Sequence, residues 1–285
     1  MGDAIDFCYT KDMCFAKLKD GFERCKIGKV AYIPAERNAV TLPNIASLKM
    51  PEYNTRSFIF DWLEVHQKFQ KKNAVDLLKL KLKYYYDESS QKDMIVLEDG
   101  KEIGLEEASS GLQSVVPLYV YVYYLTHWIY DHQEDISFEK KDRIEGALSR
   151  EYIKMFSKQM NVVMDEEFLN QAVKEAKLSP GFKKILGTAK TLKKAGNDSL
   201  DNLLETVLEL EENISHPHYS NIIVEEPELN LFPETQKDLI YDLLEMINSG
   251  RDHLLMTTHS PYLLYALNNC MLGALVQENI PEEEE

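Results

Sequence analysis

The chain has 285 residues, of which 44% are hydrophobic, so it is long enough to bury one large core or two ordinary ones. Its formal net charge of −16 excludes a surface that binds nucleic acid or acidic membranes over its whole extent, because long-range repulsion would oppose the encounter. The four cysteines show neither the close paired spacing of a zinc site nor an evident disulfide framework, and we expect reduced thiols in a cytoplasmic protein.

The N-terminus, MGDAIDFCYT, has no basic segment followed by an apolar one, so we do not expect secretion. Asp6 stands where a myristoylation motif requires Ser or Thr. The longest apolar stretch, residues 115–130, is shorter than the roughly 20 residues that span a bilayer, and it is rich in tyrosine. We predict a buried helix there, with the tyrosines used for packing, and no membrane segment.

The first elements in chain order are a strand, a helix and a hairpin. GKVAYIPAERN, residues 28–38, is an apolar run closed by Pro34 and predicts a buried strand. Residues 57–72 repeat large apolar side chains at helical spacing and predict an amphipathic helix. Two apolar runs around Asp99-Gly100 predict a hairpin with a type I′ turn, because this pair tolerates positive φ.

Residues 126–219 have a helical pattern throughout. One predicted helix carries Ile144 and Leu148 on the same face, and a second, with leucines between 200 and 208, would be capped by Asn197, Asp198 or Ser199. We predict a helical insertion at 126–218 within an α/β core formed by 1–125 and 219–285.

The C-terminal region alternates strand and helix twice, as NIIVEE, PETQKDLIYDLLEMINSG, HLLMTTH and PYLLYALNN. Pro233 and Pro261 stand where a first-turn proline costs no hydrogen bond, and Gly250 is placed to end the first of these helices as its C′ residue. The pattern predicts an α/β fold with parallel strands.

Two carboxylates, Glu225 and Glu226, follow the strand NIIV directly. In a parallel sheet the carboxyl ends of the strands line the ligand crevice. Glu225 could there hold a hydrated Mg²⁺, and Glu226 could orient or deprotonate a water that attacks a phosphoryl group. Taken alone, such a pair is more often a solvated turn. Glu228 is interpreted as a structural loop residue.

Two further polar groups follow predicted element ends. His259, after HLLMTT, could donate to a γ-phosphate or hold the attacking water, or it could be a hydrogen-bonded histidine beneath a loop. In SSGLQS, Ser109 or Ser110 caps a helix and Gly111 permits a close backbone approach, which suits an anion but also an ordinary N-cap.

In this order the motifs resemble those of the ATP-binding-cassette ATPases, in the branch that contains the structural-maintenance-of-chromosomes and RecF-type proteins. The most similar group is the bacterial AAA-labelled ATPases that include the overcoming-lysogenization-defect nucleases. The resemblance assigns IIVEEPE to the Walker B strand with its catalytic glutamate, Glu226, and His259 to the switch histidine. The signature motif corresponds to Ser109, Ser110, Gly111, Leu112 and Gln113.

The resemblance implies a partial P-loop NTPase core of the ATP-binding-cassette type with a helical insertion, ATP and Mg²⁺ as cofactors, and a homodimer that sandwiches ATP head to tail. In it Glu225 would support Mg²⁺, Glu226 would act on water and His259 would sense the γ-phosphate. The signature motif of one subunit, through Ser109, Ser110, Gly111 and Gln113, would contact ATP held by the other. YIPAER, residues 32–37, is also similar to a segment of this group, without a role for Arg37.

Several positions depart from the family pattern. Glu225 replaces the usual aspartate, Leu112 stands where a second glycine is common, and Phe232 occupies a place where many relatives have histidine. The sequence contains no G-x-x-x-x-G-K followed by Ser or Thr. We therefore expect these residues to be the C-terminal part of such an ATPase and to hydrolyse no ATP alone. The alternative is a non-catalytic regulatory or protein-interaction module derived from one, with a partner protein.

Two lysine-rich stretches, 68–83 and 168–196, leave nucleic-acid binding open, although solvated helical faces are the commoner explanation. His216-Pro217-His218 lacks a third ligand nearby and is interpreted as a turn.

Overall fold

The computed structural model describes residues 5–9, 14–18, 26–43, 45, 53–132, 138–159, 162–178, 213 and 215–276. The strands are β1 Ile5–Tyr9, β2 Cys14–Leu18, β3 Gly28–Ile33, β4 Val75–Leu77, β5 Leu82–Asp87, β6 Lys92–Val96, β7 Glu102–Gly104, β8 Tyr219–Glu225 and β9 His253–Thr257. The helices are α1 Tyr53–Val65, α2 Ser110–Tyr123, α3 Ile129–Asp131, α4 Phe138–Gln159, α5 Glu166–Leu178, α6 Pro233–Ile247 and α7 Pro261–Val276. The chain divides into two compact units, 1–27 with 133–218, and 28–132 with 219–285.

The first unit contains an antiparallel strand pair, β1 with β2, and two helices that pack together, α4 and α5. Leu148 on α4 and Leu169 on α5 are buried. The helical pattern predicted from 126 onward is confirmed where the structure describes it. The second predicted helix, with its caps at 197–199, lies outside the described residues. The division at 126 and 218 stays a prediction.

The second unit is built on a parallel sheet with the strand order β3-β8-β9. Ile33 of β3 pairs with Val224 of β8, and Glu225 at the end of β8 pairs with Thr257 at the end of β9. The three predicted strands and the α/β class are thereby confirmed.

One face of this sheet packs on the core and the other is open. Ala31, Ile33, Ile222 and Val224 alternate with outward residues and are buried against α1 and α2, since apolar side chains of all three elements form one cluster. On the opposite face, Val30 is 65% and Leu255 is 62% exposed. Parallel sheets are ordinarily covered on both faces. In this sheet, the described residues leave Val30 and Leu255 on the second face exposed to solvent.

Helix α2 lies in the core, as predicted for 115–130. Tyr119, Tyr121 and Tyr124 are buried in packing, and the hydroxyls of Tyr119 and Tyr121 donate to Asp242 and Asp61. The helix continues through a π-helical turn, Tyr124–Trp128, into α3. In the described part of the chain, every helix is too short or too polar to cross a bilayer.

Beside the parallel sheet, β4 to β7 form an antiparallel sheet that includes the predicted hairpin of β6 and β7. The predicted type I′ turn is wrong: Gly100 has φ +81°, whereas Asp99 has no positive φ. The connection has five residues, closed by a hydrogen bond from Leu97 N to Lys101 O. The Asp99 carboxylate accepts from Lys101 N, and this side-chain bond favours the longer loop. The helix predicted at 57–72 is α1 followed by two short 3₁₀ turns.

The C-terminal helices begin at the predicted prolines, Pro233 in α6 and Pro261 in α7. Gly250, with φ +70°, follows α6 one position later than predicted, because the C-cap is Asn248. Its N–H donates to Ile247 O and ends the helix.

Candidate functional site

The carboxyl ends of β8 and β9 lie side by side, as the sequence predicted. Beyond the paired Glu225 and Thr257, the N–H of Glu226 donates to the carbonyl oxygen of Thr257 at 2.9 Å. The loops that follow the two strands are therefore held together by the main chain, and the side chains on them share one edge of the sheet.

Glu226 and His259 meet at this edge. His259 Nε2 lies 3.7 Å from Glu226 Oε1, and the two side chains are 90% and 37% exposed. A carboxylate and an imidazole at this distance, both open to solvent, can accept or donate a proton to a water placed between them and a ligand. The two candidate catalytic residues are thus brought together.

The backbone at Glu226 has φ +42°, in the left-handed region that a residue with a side chain rarely adopts. A turn follows at once, because Leu229 N–H donates to Glu226 O at 3.0 Å. Such strain persists only where surrounding contacts hold it, and it concentrates at functional sites.

Glu228 connects the two loops. Its Oε1 accepts hydrogen bonds from Thr258 Oγ1 at 2.9 Å and from the N–H of His259 at 2.8 Å. Its second oxygen is buried without a hydrogen-bond partner in the described part of the chain. The residue interpreted as structural thus fixes the backbone from which His259 projects.

Glu225 follows the buried Val224 and is itself half-buried. No group of three acidic, histidine or cysteine side chains that could hold a metal is found among the described residues. Mg²⁺ commonly binds through one or two carboxylates, with waters and substrate phosphates as its other ligands. Glu225, at the strand end, fits that donor set.

The SSGLQS segment begins α2. Ser109 is the N-cap, and its Oγ accepts from Leu112 N at 3.4 Å, while Gln113 Nε2 donates to Glu106 O at 3.0 Å. Ser110 is exposed at the helix start. The N–H groups in the first turn of a helix favour an anion, and a role of this helix start in binding ATP stays a prediction.

Close packing within the chain explains why position 111 is a glycine. A Cβ at this position would lie 2.9 Å from the backbone oxygen of Asn230, in the loop after the carboxylates. Asn230 itself has φ +62°, and its Nδ2 donates to Ser114 Oγ at 3.1 Å. The start of α2 and the loop between β8 and α6, residues 226–232, are therefore packed directly on each other; we call this segment the carboxylate loop.

Arg37 is the residue that sequence reasoning missed. It is fully buried, and its guanidinium donates to main-chain carbonyls on β3's end, on α2 and in the carboxylate loop. The acceptors are Ser114 O (2.9 Å), Pro34 O (3.2 Å), Glu225 O (2.9 Å), Glu226 O (2.9 Å) and Pro227 O (3.2 Å). Burial lowers the pKa of Arg37 to about 10, although Glu228, Glu226 and Glu36 oppose the shift. The only sequence signal was the YIPAER resemblance.

The remaining sequence candidates lie away from this edge or contribute little to it. Phe232 is 82% exposed, just before α6. In the stretch 68–83, Lys71, Lys81 and Lys83 pair with acidic side chains. Most of the stretch 168–196 lies outside the described residues.

Comparison with known proteins gives one informative match. Residues 129–264 match the model of the AAA ATPase domain family. No curated protein matches. Among solved structures, an SMC head bound to the C-winged helix domain of ScpA covers 89% of this chain and 87% of that chain, at 12% identity and a TM-score of 0.16, which is too low to carry an argument. Residues 129–264, just under half of the chain, include Glu226 and His259, so the part that carries both residues is similar to the AAA ATPase domain family, in agreement with the ATPase class predicted from the motifs.

Proposed function

We propose that this chain supplies the hydrolytic half of an ATP site in an ATPase of the ATP-binding-cassette and SMC-like type, acting as a head-to-tail homodimer in the cytoplasm. The observation that carries the proposal is the pairing of Glu226 with His259 at 3.7 Å, both accessible to solvent, at the shared carboxyl edge of two parallel strands. The family match covers both residues.

In this proposal each residue has one task. Glu226 accepts the proton of the attacking water, and His259 donates to the γ-phosphate. Glu225 would hold Mg²⁺, which when bound would neutralise part of the phosphate charge. The exposed start of α2, with Ser109, Ser110, Gly111 and Gln113, binds the γ-phosphate of ATP held by the second subunit.

The phosphate-binding loop that completes the site is not encoded in these 285 residues. That loop contributes the N–H groups that cradle the phosphates and the lysine that neutralises them. We therefore expect this chain alone to bind Mg-ATP weakly and to turn it over at no measurable rate.

The test uses a longer form of the protein that carries a phosphate-binding loop, with Glu226→Gln as the variant. Removing a general base costs typically 10²- to 10⁴-fold in rate, so we expect a loss of about 100-fold or more in kcat. Glu234→Gln is the matched control, since Glu234 is an exposed acid on α6 nearby in the sequence. Equal turnover by Glu226→Gln and Glu234→Gln would remove Glu226 from the catalytic role.

A second candidate function is a non-catalytic regulatory or interaction module that binds a partner protein. The missing loop and the apolar Phe232 in place of a polar residue favour it. Turnover by the longer form would count against this alternative. Both candidate functions assume that this chain alone binds Mg-ATP weakly, and calorimetry with Mg-ATP tests this assumption. A Kd below about 10 μM would contradict the need for a phosphate-binding loop supplied from elsewhere.

Nucleic-acid binding through the lysine-rich stretches is a separate proposal with less support, because three of these lysines have acidic partners. Binding of this kind is weakened steeply by salt. An affinity for duplex DNA that does not change between low and high salt would exclude it.

A further inference from the structure

The guanidinium of Arg37 uses every hydrogen-bond donor it has. An arginine side chain carries five N–H groups, and the five bonds described above account for all of them, each to a main-chain carbonyl. A buried cation is costly unless fully hydrogen-bonded, so these contacts are what permit it in the core. Five main-chain carbonyls are thereby held around one side chain.

Three of the five acceptors are consecutive, at residues 225–227, and the middle one belongs to Glu226. Consecutive carbonyls point in alternating directions along an extended strand. They converge on one guanidinium because the chain leaves the strand at Glu226 with φ +42°. Charge-assisted bonds to a planar fork compensate for this backbone strain.

The remaining two acceptors place the loop relative to the rest of the site. Pro34 O lies just beyond β3, and Ser114 O lies on α2, one turn after Gly111. Arg37 therefore ties the first turns of α2 and the end of β3 to the backbone that carries Glu226.

We infer that Arg37 is a positioning residue for hydrolysis: it holds the backbone of residues 225–227 so that the Glu226 carboxylate projects from the sheet edge toward His259. The inference rests on the proposed function. Lysine cannot substitute, because a single ammonium offers three donors at one point and not a planar fork.

Hydrogen exchange on the present chain tests the structural part. Arg37→Lys should speed exchange of the Leu229 and Leu231 amides, which close the turns after Glu226, by roughly tenfold or more. Arg251→Lys is the matched control, since Arg251 also donates to a carbonyl, Thr126 O, but lies before the amino end of β9. Unchanged exchange at Leu229 and Leu231 in Arg37→Lys would overturn the inference.

Kinetics of the longer, loop-containing form test whether Arg37 acts through Glu226. Arg37→Lys should lower kcat by roughly 10- to 100-fold and leave KM within about twofold, because the reacting group and not the nucleotide is displaced. Added to Glu226→Gln, it should have no further effect. A loss that multiplies with that of Glu226→Gln would overturn the inference. If Glu226→Gln itself has full activity, the proposed function fails, and the exchange result still decides whether Arg37 holds the loop.

The unmodified protein gives an independent measurement in case Arg37→Lys does not fold. Nitrogen-15 NMR of the arginine side chains should show Arg37 Nη–H protons that are separately resolved and exchange slowly with water. Freely rotating, rapidly exchanging Nη groups at Arg37 would be incompatible with five fixed bonds.

Discussion

The main-chain N–H of His259 donates a hydrogen bond to the carboxylate of Glu228, at 2.8 Å. The same oxygen accepts from the hydroxyl of Thr258. The loop after β8 therefore fixes the loop after β9. The distance between Glu226 and His259 depends on the carboxylate of Glu228, whose second oxygen is buried.

Glu228→Ala should lower the free energy of unfolding by about 1–3 kcal/mol, because two donors lose their acceptor. Glu228→Gln keeps an oxygen acceptor and should cost clearly less. Urea unfolding of the three proteins measures both values. Equal losses in the two variants would show that the negative charge, and not the acceptor, is what stabilises the loop.

Gly111→Ala should lower the free energy of unfolding, whereas a glycine-to-alanine change in a helix usually raises it. Within a helix, alanine is normally better than glycine by about 1 kcal/mol. Here the new Cβ would lie 2.9 Å from the carbonyl oxygen of Asn230, and overpacking against backbone costs about 1–3 kcal/mol.

Thermal unfolding measures this effect, with Ser110→Ala as the control. Ser110 is the exposed neighbour on the same helix turn and should stay within about 0.5 kcal/mol of wild type. If Gly111→Ala were as stable as Ser110→Ala, the loop that contains Asn230 would move away from the new methyl group at no cost, which would contradict the prediction.

Stability should fall at alkaline pH because of half-buried and buried tyrosines. Burial, with a hydrogen bond to Asp252, raises the pKa of Tyr130 to about 12, whereas an unfolded tyrosine ionises near pH 10. Between these values the folded state keeps a proton that the unfolded state releases. The free energy of unfolding therefore decreases as pH rises from about 10 to 12.

Burial also raises the pKa values of Tyr84 and Tyr121, which adds to the same loss. Denaturant unfolding between pH 8 and 11 measures the slope. Tyr130→Phe should reduce it, whereas Tyr262→Phe, at a half-exposed position, is the control. A free energy of unfolding that is constant from pH 9 to 11 would contradict the prediction.

Substitution by lysine should have very different effects on stability at two adjacent leucines of β9, Leu254 and Leu255. Leu255 lies on the open face of the sheet, whereas Leu254 packs against the core. Leu255→Lys should change the free energy of unfolding by no more than about 0.5 kcal/mol. Leu254→Lys should cost more than about 2 kcal/mol, because a charge would enter the core. Chemical denaturation compares them, and equal losses would indicate that something covers the open face.

The sequence predicted those features that depend on neighbouring residues. Ile222 and Val224 alternate with outward residues, which identifies a strand, and its acidic end follows directly. Parallel pairing then places Glu226 and His259 at one edge, because strand ends in such sheets coincide. The roles assigned to these residues in catalysis remain predictions.

What the sequence missed depends on distant residues or on side-chain detail. The acceptors of Arg37 include Ser114, 77 residues away, and Pro227, 190 residues away, and no local pattern indicates them. The close approach of Asn230 to Gly111 likewise joins distant parts of the chain, and the role of Gly111 in ATP binding stays a prediction. The hairpin turn type was wrong because the Asp99 side chain bonds Lys101 N and favours a longer connection.

The contacts of Arg37 also order events during synthesis. Three of its five acceptors are made 188 to 190 residues after the arginine itself. Until they emerge, closing the core around Arg37 would bury a cation with most of its donors unpaired, which costs several kcal/mol. Before residues 225–227 are synthesised, the core around Arg37 is therefore expected to stay unpacked. The apolar faces of α1 and α2 would then be exposed and prone to aggregation. Residues 225–227, in the last quarter of the sequence, therefore decide when the region around Arg37 can close.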